Sequence, residues 1–186
     1  EDTLRDIPQN ASQYIKAQEG SSLHSSIGHT LILSDLDDGF DPTKGYVFSL
    51  TQDYAGIGGD VKFFKNVGRA VGYVPLIEDR LFLKTQLQGG VVSGHSGTKL
   101  RINDRFFLGP DDIRGFDVSG LGPRDSDTKE ALGGTKFVTF KTDFIFPIGL
   151  GEEAGLKGYV FHDVGNLWGG INAADITETN KYRASY

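Results

Sequence analysis

Side chains able to do chemistry are scattered along this sequence, and their spacing excludes most of the chemistry they could do. His24, His29, His95 and His162 stand apart, with no helix or hairpin spacing that would gather them as metal ligands. Asp35-Leu36-Asp37-Asp38-Gly39 resembles the start of a calcium loop, but its glycine comes one place early and no glutamate closes the motif. Asp111-Asp112 and Glu152-Glu153 read as solvated turn acids rather than a general acid and base. There is no cysteine, which removes thiolate ligands, disulfides and thiol nucleophiles together. No Ser-His-Asp context and no phosphate-cradling glycine loop is present. The expectation is a chain that is not an enzyme and holds no metal or cofactor.

Arg114 stands out by its company. It lies between Ile113 and Gly115-Phe116, inside a turn-rich stretch from Arg105 to Asp125. A guanidinium cannot shed its charge, so wherever protein shields it from water it needs carboxylates arranged for bidentate contact. Which acids can face it depends on the elements around it.

Those elements read as strands. Segments near 26–37, 45–55, 61–75, 80–93, 135–147 and 156–168 have a period near two and are bounded by Gly, Asp or Pro, and Lys181 to Tyr186 begins another. Leu81, Leu83, Thr85, Leu87 and Val91 share one face, against Phe82, Lys84, Gln86 and Gln88. Val138, Phe140, Phe144 and Phe146 oppose Thr139, Lys141 and Asp143, and Tyr46, Phe48, Leu50 and Tyr54 oppose Ser49, Thr51 and Asp53. The spans at 26 and 61 are blurred. Asp143 thus falls on a wet face, and the same parity turns Asp163 inward if Val160 and Val164 face outward. It also turns His162 toward the oily side, which requires either a place at headgroup level or a bulge that shifts the register.

Links near 38–44, 76–79 and 148–155 are compact, whereas 94–134 and 169–180 are long, with the short 56–60 an exception. Alternating short and long links fit a membrane barrel with periplasmic turns and extracellular loops. The 26 Gly, 13 Phe and 7 Tyr suit many short strands, and no run of about 18 apolar residues offers a transmembrane helix. A net charge of -6 with scattered basic residues argues against nucleic acid. The chain begins at Glu1 and contains no Met, and it reads as an excerpt of a longer protein.

The stretch Arg105-Phe106-Phe107-Leu108-Gly109-Pro110-Asp111-Asp112-Ile113-Arg114-Gly115-Phe116, followed by Leu121-Gly122-Pro123-Arg124-Asp125, resembles the lumenal loop signature of the BamA family. Pro110 stands where that signature usually has a second glycine. Asp38-Gly39-Phe40-Asp41-Pro42-Thr43-Lys44-Gly45 is similar to a periplasmic turn of the family, while Gly72-Tyr73-Val74-Pro75-Leu76 and Phe161-His162-Asp163-Val164-Gly165-Asn166-Leu167-Trp168 are similar to strand segments. The resemblance implies an all-β fold, an antiparallel transmembrane β-barrel that is partial here, with about six to seven strands of an expected sixteen. Residues 1–20, where only Tyr14 to Gln18 offers a possible short helix, would be a weakly anchored loop leading into the barrel. Residues 21–186 would be part of a C-terminal barrel domain, with loop 94–134 inserted in the lumen. The loop motif residues carried over are Gly109, Ile113, Arg114, Gly115, Phe116, Leu121, Gly122, Pro123, Arg124 and Asp125, and the acids that contact the loop arginine are Asp143 and Asp163.

The function so implied is assembly of other barrels in the outer membrane of a Gram-negative bacterium. Partners would be unfolded outer-membrane proteins, periplasmic accessory lipoproteins and outer-membrane lipids, with no nucleic acid. Two-partner secretion and TamA-like transporters share this kind of barrel and remain an alternative. A soluble lipocalin-like binding module is a second one, distinguished by independence from detergent.

Overall fold

Alternation of apolar and polar residues drives each segment toward an extended chain with one oily and one wet face, and such strands become stable only by pairing side by side. The computed structural model describes residues 2–4, 8, 11–16, 18–77, 80–98, 100–148, 156–170, 176–177 and 183–185. Six long strands cover most of these: β3 (Ser26–Leu36), β4 (Gly45–Ala55), β5 (Phe63–Ile77), β6 (Leu81–Gly94), β8 (Lys136–Pro147) and β9 (Lys157–Trp168). With the short β11 (Arg183–Ser185) they form one antiparallel sheet in the order β11-β9-β8-β6-β5-β4-β3. Apart from the register shift at Leu76, beside Pro75, the ladders of the six long strands run without interruption. Proline cannot donate to a ladder, so a strand end with a bulge is where it belongs.

The shortest of the six has 11 residues. At about 3.3 Å per residue and a tilt of about 40°, that length advances about 28 Å, close to the hydrocarbon thickness of a bilayer. No helix among the described residues is long and apolar enough to cross a membrane, which leaves crossing by strands untouched.

The placement of apolar groups is inverted relative to a soluble domain. Leu31, Leu33, Tyr46, Phe48, Phe64, Val74, Leu87, Phe140, Phe144 and Val160 share the outer face of the sheet and are exposed. The buried cluster lies on the concave side, where Phe63, Val92, Phe137 and Leu167 of the wall meet Phe106, Leu108, Ile113 and Leu121 of the long β6–β8 connection. A sandwich buries the face this sheet exposes.

His162 faces outward as the alternation requires, and of the two accounts of it the bulge is excluded. The β8–β9 ladder is continuous, so no bulge turns His162 inward; it is exposed on the outer face opposite Thr142, which is itself opposite Thr85. Of the first twenty residues, those described carry some regular structure. They contain β1 (Asp2–Leu4), which pairs with β2 (Gly20–Ser22), and a one-turn helix α1 (Gln13–Lys16). Ala11 and Ser12 just before α1 are buried. A polar segment without strand period is held here by hydrogen bonds to the long connection, which hydrophobic patterning does not register. Lys181 and Tyr186 of the last expected strand, and Glu152 and Glu153, lie outside the described residues.

Candidate functional site

The connection between β6 and β8 folds back onto the inner wall instead of projecting away. Its central apolar residue, Ile113, is 0% exposed and sits over Gly165 of β9, where an added Cβ would come within 2.4 Å of the Ile113 Cδ1. Leu167, two residues along β9 and on the same face, is enclosed from the other side. Added Cβ atoms at Gly122 and Gly134 would approach its side chain to 2.5 and 2.6 Å. Glycine is required at Gly122 twice over, because its φ of +103° is also one that side chains avoid. Each fully buried Ile or Leu contributes about 1.5–3 kcal/mol of burial, so Ile113, Leu132 and Leu167 give the loop a substantial apolar seat.

This seat presents Arg114 to two strands. Its Nε donates to Asp163 Oδ2 at 2.7 Å and its NH2 to Asp163 Oδ1 at 2.5 Å, the bidentate fork that suits a carboxylate. The Arg114 backbone N–H donates to the same Oδ2 at 3.0 Å. On the other side, NH1 lies 2.6 Å from Asp143 Oδ1, an ion pair without the alignment of a hydrogen bond. The guanidinium also rests over the Phe161 ring, 4.0 Å from its centroid. Asp163 is fully buried, whereas the Arg114 side chain is 33% exposed. Hydrogen bonding by Asp163 first, with the charge of Asp143 beside it, pushes the guanidinium above its ordinary range. Lys141, the inward neighbour of Asp143 on β8, donates from Nζ to the Asp111 carbonyl.

The remaining motif residues shape the loop. Gly109 N–H donates to Asp112 Oδ2 at 3.1 Å, which makes Asp112 a turn acid, and Phe116 packs against the buried cluster. Gly115 has a φ of +82° and faces Ser185 of β11. Leu121 bridges to Leu108, and Pro123 is buried. Arg124 braces the loop internally, donating from NH2 to the Ser119 carbonyl at 2.7 Å and from NH1 to the Lys129 carbonyl at 2.8 Å. Arg124 and Asp125 form β7, which pairs with β10 (Ile176–Thr177) of the next long connection. Asp125 Oδ1 accepts from the amides of Asp127 and Thr128, while its Oδ2 accepts from Ser12 Oγ at 2.5 Å. Ser12 N–H donates to Glu130 Oε2 at 2.6 Å, and the Gln18 side chain accepts from Ile102 N–H at 2.8 Å. Ser12 and Gln18 therefore make a strap tied to both ends of the loop.

The arrangement is that of an internal loop pinned by charge and by glycine-lined sockets. Among the described residues no three of His, Asp and Glu converge as metal ligands. A family model described as the Omp85 superfamily domain matches residues 1–186. The chain belongs to the Omp85 superfamily.

Its relatives include outer-membrane assembly factors. The chain is 35% identical over 181 residues to the outer membrane protein assembly factor BamA of Neorickettsia risticii, covering 97% of this chain and 24% of that protein. It is 30% identical to the BamA of Nitratidesulfovibrio vulgaris, over 87% of this chain and 20% of that protein. The sorting and assembly machinery component 50 homolog of Mus musculus is 32% identical over 70% of this chain and 28% of its own length. The Omp85 chain thus spans about a quarter of the relatives it matches. Its fold is shared with the crystal structure of BamA from Haemophilus ducreyi lacking POTRA domains 1-3, with a TM-score of 0.70 at 20% identity, covering 77% of this chain and 30% of that one.

Sequence reasoning about this Omp85 site missed the wall glycine Gly165, the clasped Leu167 and the strap residue Ser12. Gly165 carried a signal, as a glycine inside a strand marks a close approach of other chain. Ser12 carried none.

Proposed function

We propose that this chain is part of an outer-membrane β-barrel which, in the whole protein, folds and inserts other β-barrel proteins, and that the 95–135 loop is a lumenal tongue held by Arg114. The observation that carries the reading is the bidentate Arg114–Asp163 contact, backed by Asp143 and set in an apolar seat. The outward apolar face supports residence in a membrane, and the names of the relatives support the outer membrane of a Gram-negative bacterium as the place. The substrates are unfolded outer-membrane proteins. Periplasmic accessory lipoproteins and outer-membrane lipids are the other partners. The work is strand pairing and local disturbance of the bilayer, with no bond broken or made, so the protein is not an enzyme.

The test is reconstitution of the full-length protein in liposomes with an unfolded outer-membrane barrel as substrate. Arg114→Ala removes a charged partner from a buried carboxylate, a change of about 3–5 kcal/mol. The expected outcome is a loss of about tenfold or more in the rate at which folded, protease-resistant substrate accumulates, together with new protease access between residues 95 and 132. Unchanged insertion with the loop demonstrably released would refute the assignment of the tongue to assembly. Unchanged protection of the loop would refute the pin.

A further inference from the structure

Phe106 opens the loop motif, yet the Arg114 contacts do not explain it. Its ring is buried on the inner wall above Gly90 of β6, where an added Cβ would meet Phe137 at 2.5 Å and Phe106 at 2.9 Å. Phe137 of β8 packs edge to face against it, with ring centroids 4.7 Å apart. Lys65 of β5 closes the site, its Nζ 4.6 Å from the centroid of the Phe106 ring. That distance lies within the range where a cation is attracted to the π-face. The backbone is fastened at the same point, since Phe106 N–H donates to the Gly134 carbonyl and Gly134 N–H to the Phe106 carbonyl, both at 2.9 Å.

This constellation is separate from the first fastening. Arg114 binds β8 and β9, whereas Lys65, Gly90 and Phe137 belong to β5, β6 and β8. A partly buried lysine of the inner wall set over an aromatic ring is more than a solvated wall charge.

We propose that Lys65 is a positioning residue, clamping the Phe106 ring in the Gly90 notch as a second fastening that holds the base of the loop independently of the Arg114 pin at its tip. The proposal rests on the reading of residues 95–135 as a lumenal tongue and adds a mechanical division to it. With two fastenings that share only β8, the tip can be released while the base stays docked. Movement of β5 or β6 is then felt at the base and movement of β9 at the tip.

Hydrogen exchange of the full-length protein in lipid nanodiscs, resolved to single amides, tests this. Lys65→Met keeps the aliphatic stem and loses the cation, and should speed exchange at Phe106 and Gly134 by about tenfold while Ile113 and Arg114 stay within about twofold of the wild type. Lys65→Arg, which restores a cation over the ring, should return the wild-type rates. In a Phe106→Leu background, Lys65→Met should add nothing, because the ring it acts on is gone. Unchanged exchange at Phe106 and Gly134 in Lys65→Met would overturn the clamp. So would failure of the arginine variant to restore protection, or an equal effect of Lys65→Met in the Phe106→Leu background. If Phe106, Ile113 and Gly134 all exchange at free-loop rates in the wild type, the tongue reading fails first, which is a different result from a protected loop indifferent to Lys65.

Discussion

At the scale of the residue, the two acids that receive Arg114 are not equivalent. Asp163 is fully buried and takes two guanidinium donors and a backbone amide, whereas Asp143 makes a single off-line ion pair and is 13% exposed. Asp163→Asn leaves the charge of Arg114 with the weaker partner, and it should cost about 3–5 kcal/mol of loop docking. Asp143→Asn should cost about 1 kcal/mol, in the range of partly exposed pairs. Exchange of the Arg114 amide in the full-length protein measures both, and equal effects would mean that the fork on Asp163 is not the principal hold. The inward placement of both acids was legible by counting, since a period of two runs unbroken through β8 and β9. The sockets were not, because a glycine marks a position for a neighbour only once the neighbour is known. Gly165 matters through Ile113, which is 52 residues earlier by number and far from it in the chain.

Among the elements, the strands whose outer face is apolar and inner face polar were legible to within a residue or two at most ends, β4 and β6 above all. The blur at β5 has a physical cause: Phe63, Val67 and Val71 point inward beneath the loop and Phe64 and Val74 outward, so apolar residues occupy both faces. The strap at Ser12 and Gln18 was illegible because hydrogen bonds to the loop, which no hydrophobic period marks, tie it down. Ser12 is the first cause of a lowered Asp125 pKa, ahead of the Thr128 and Asp127 amides. A carboxylate with a depressed pKa stabilises its contact above the ordinary carboxylate range, and the contribution is lost as pH falls below that range and through the lowered value. Protection of the Ile15 and Lys16 amides, which donate to the Ser12 carbonyl, measured against the intrinsic exchange rate at each pH, should therefore fall on acidification below the ordinary Asp range. In Ser12→Ala it should be low already at neutral pH, with the acid-dependent step gone. A strap equally protected in the variant at neutral pH would show that Asp125 does not hold it.

For the whole molecule, the decisive feature is that the core lies inside the curve of the sheet and the oily surface outside it. That inversion separates a membrane barrel from a soluble sandwich, which strand periodicity alone could not do, since both alternate with a period of two. The antiparallel run of the strands came from the resemblance and from links that alternate between compact and long. The seating of the long loop was not legible from its length; it came from resemblance in the motif, and the geometry supplies a reason in Arg114, Ile113 and the glycine sockets. The seated tongue is the central claim, and its wall contact can be trapped directly. A Cβ built at Gly115 lies 3.8 Å from the Ser185 Cβ on β11, the spacing of a disulfide. Cysteine at a φ of +82° costs about 1–2 kcal/mol, less than the pin and apolar seat together supply. In the full-length protein in native membranes, Gly115→Cys with Ser185→Cys should form a disulfide under mild oxidation, detected as a linked peptide by mass spectrometry, while Ser119→Cys with Ser185→Cys should not. Two unlinked cysteines at 115 and 185, both open to a membrane-impermeant maleimide, would contradict a tongue seated against the wall.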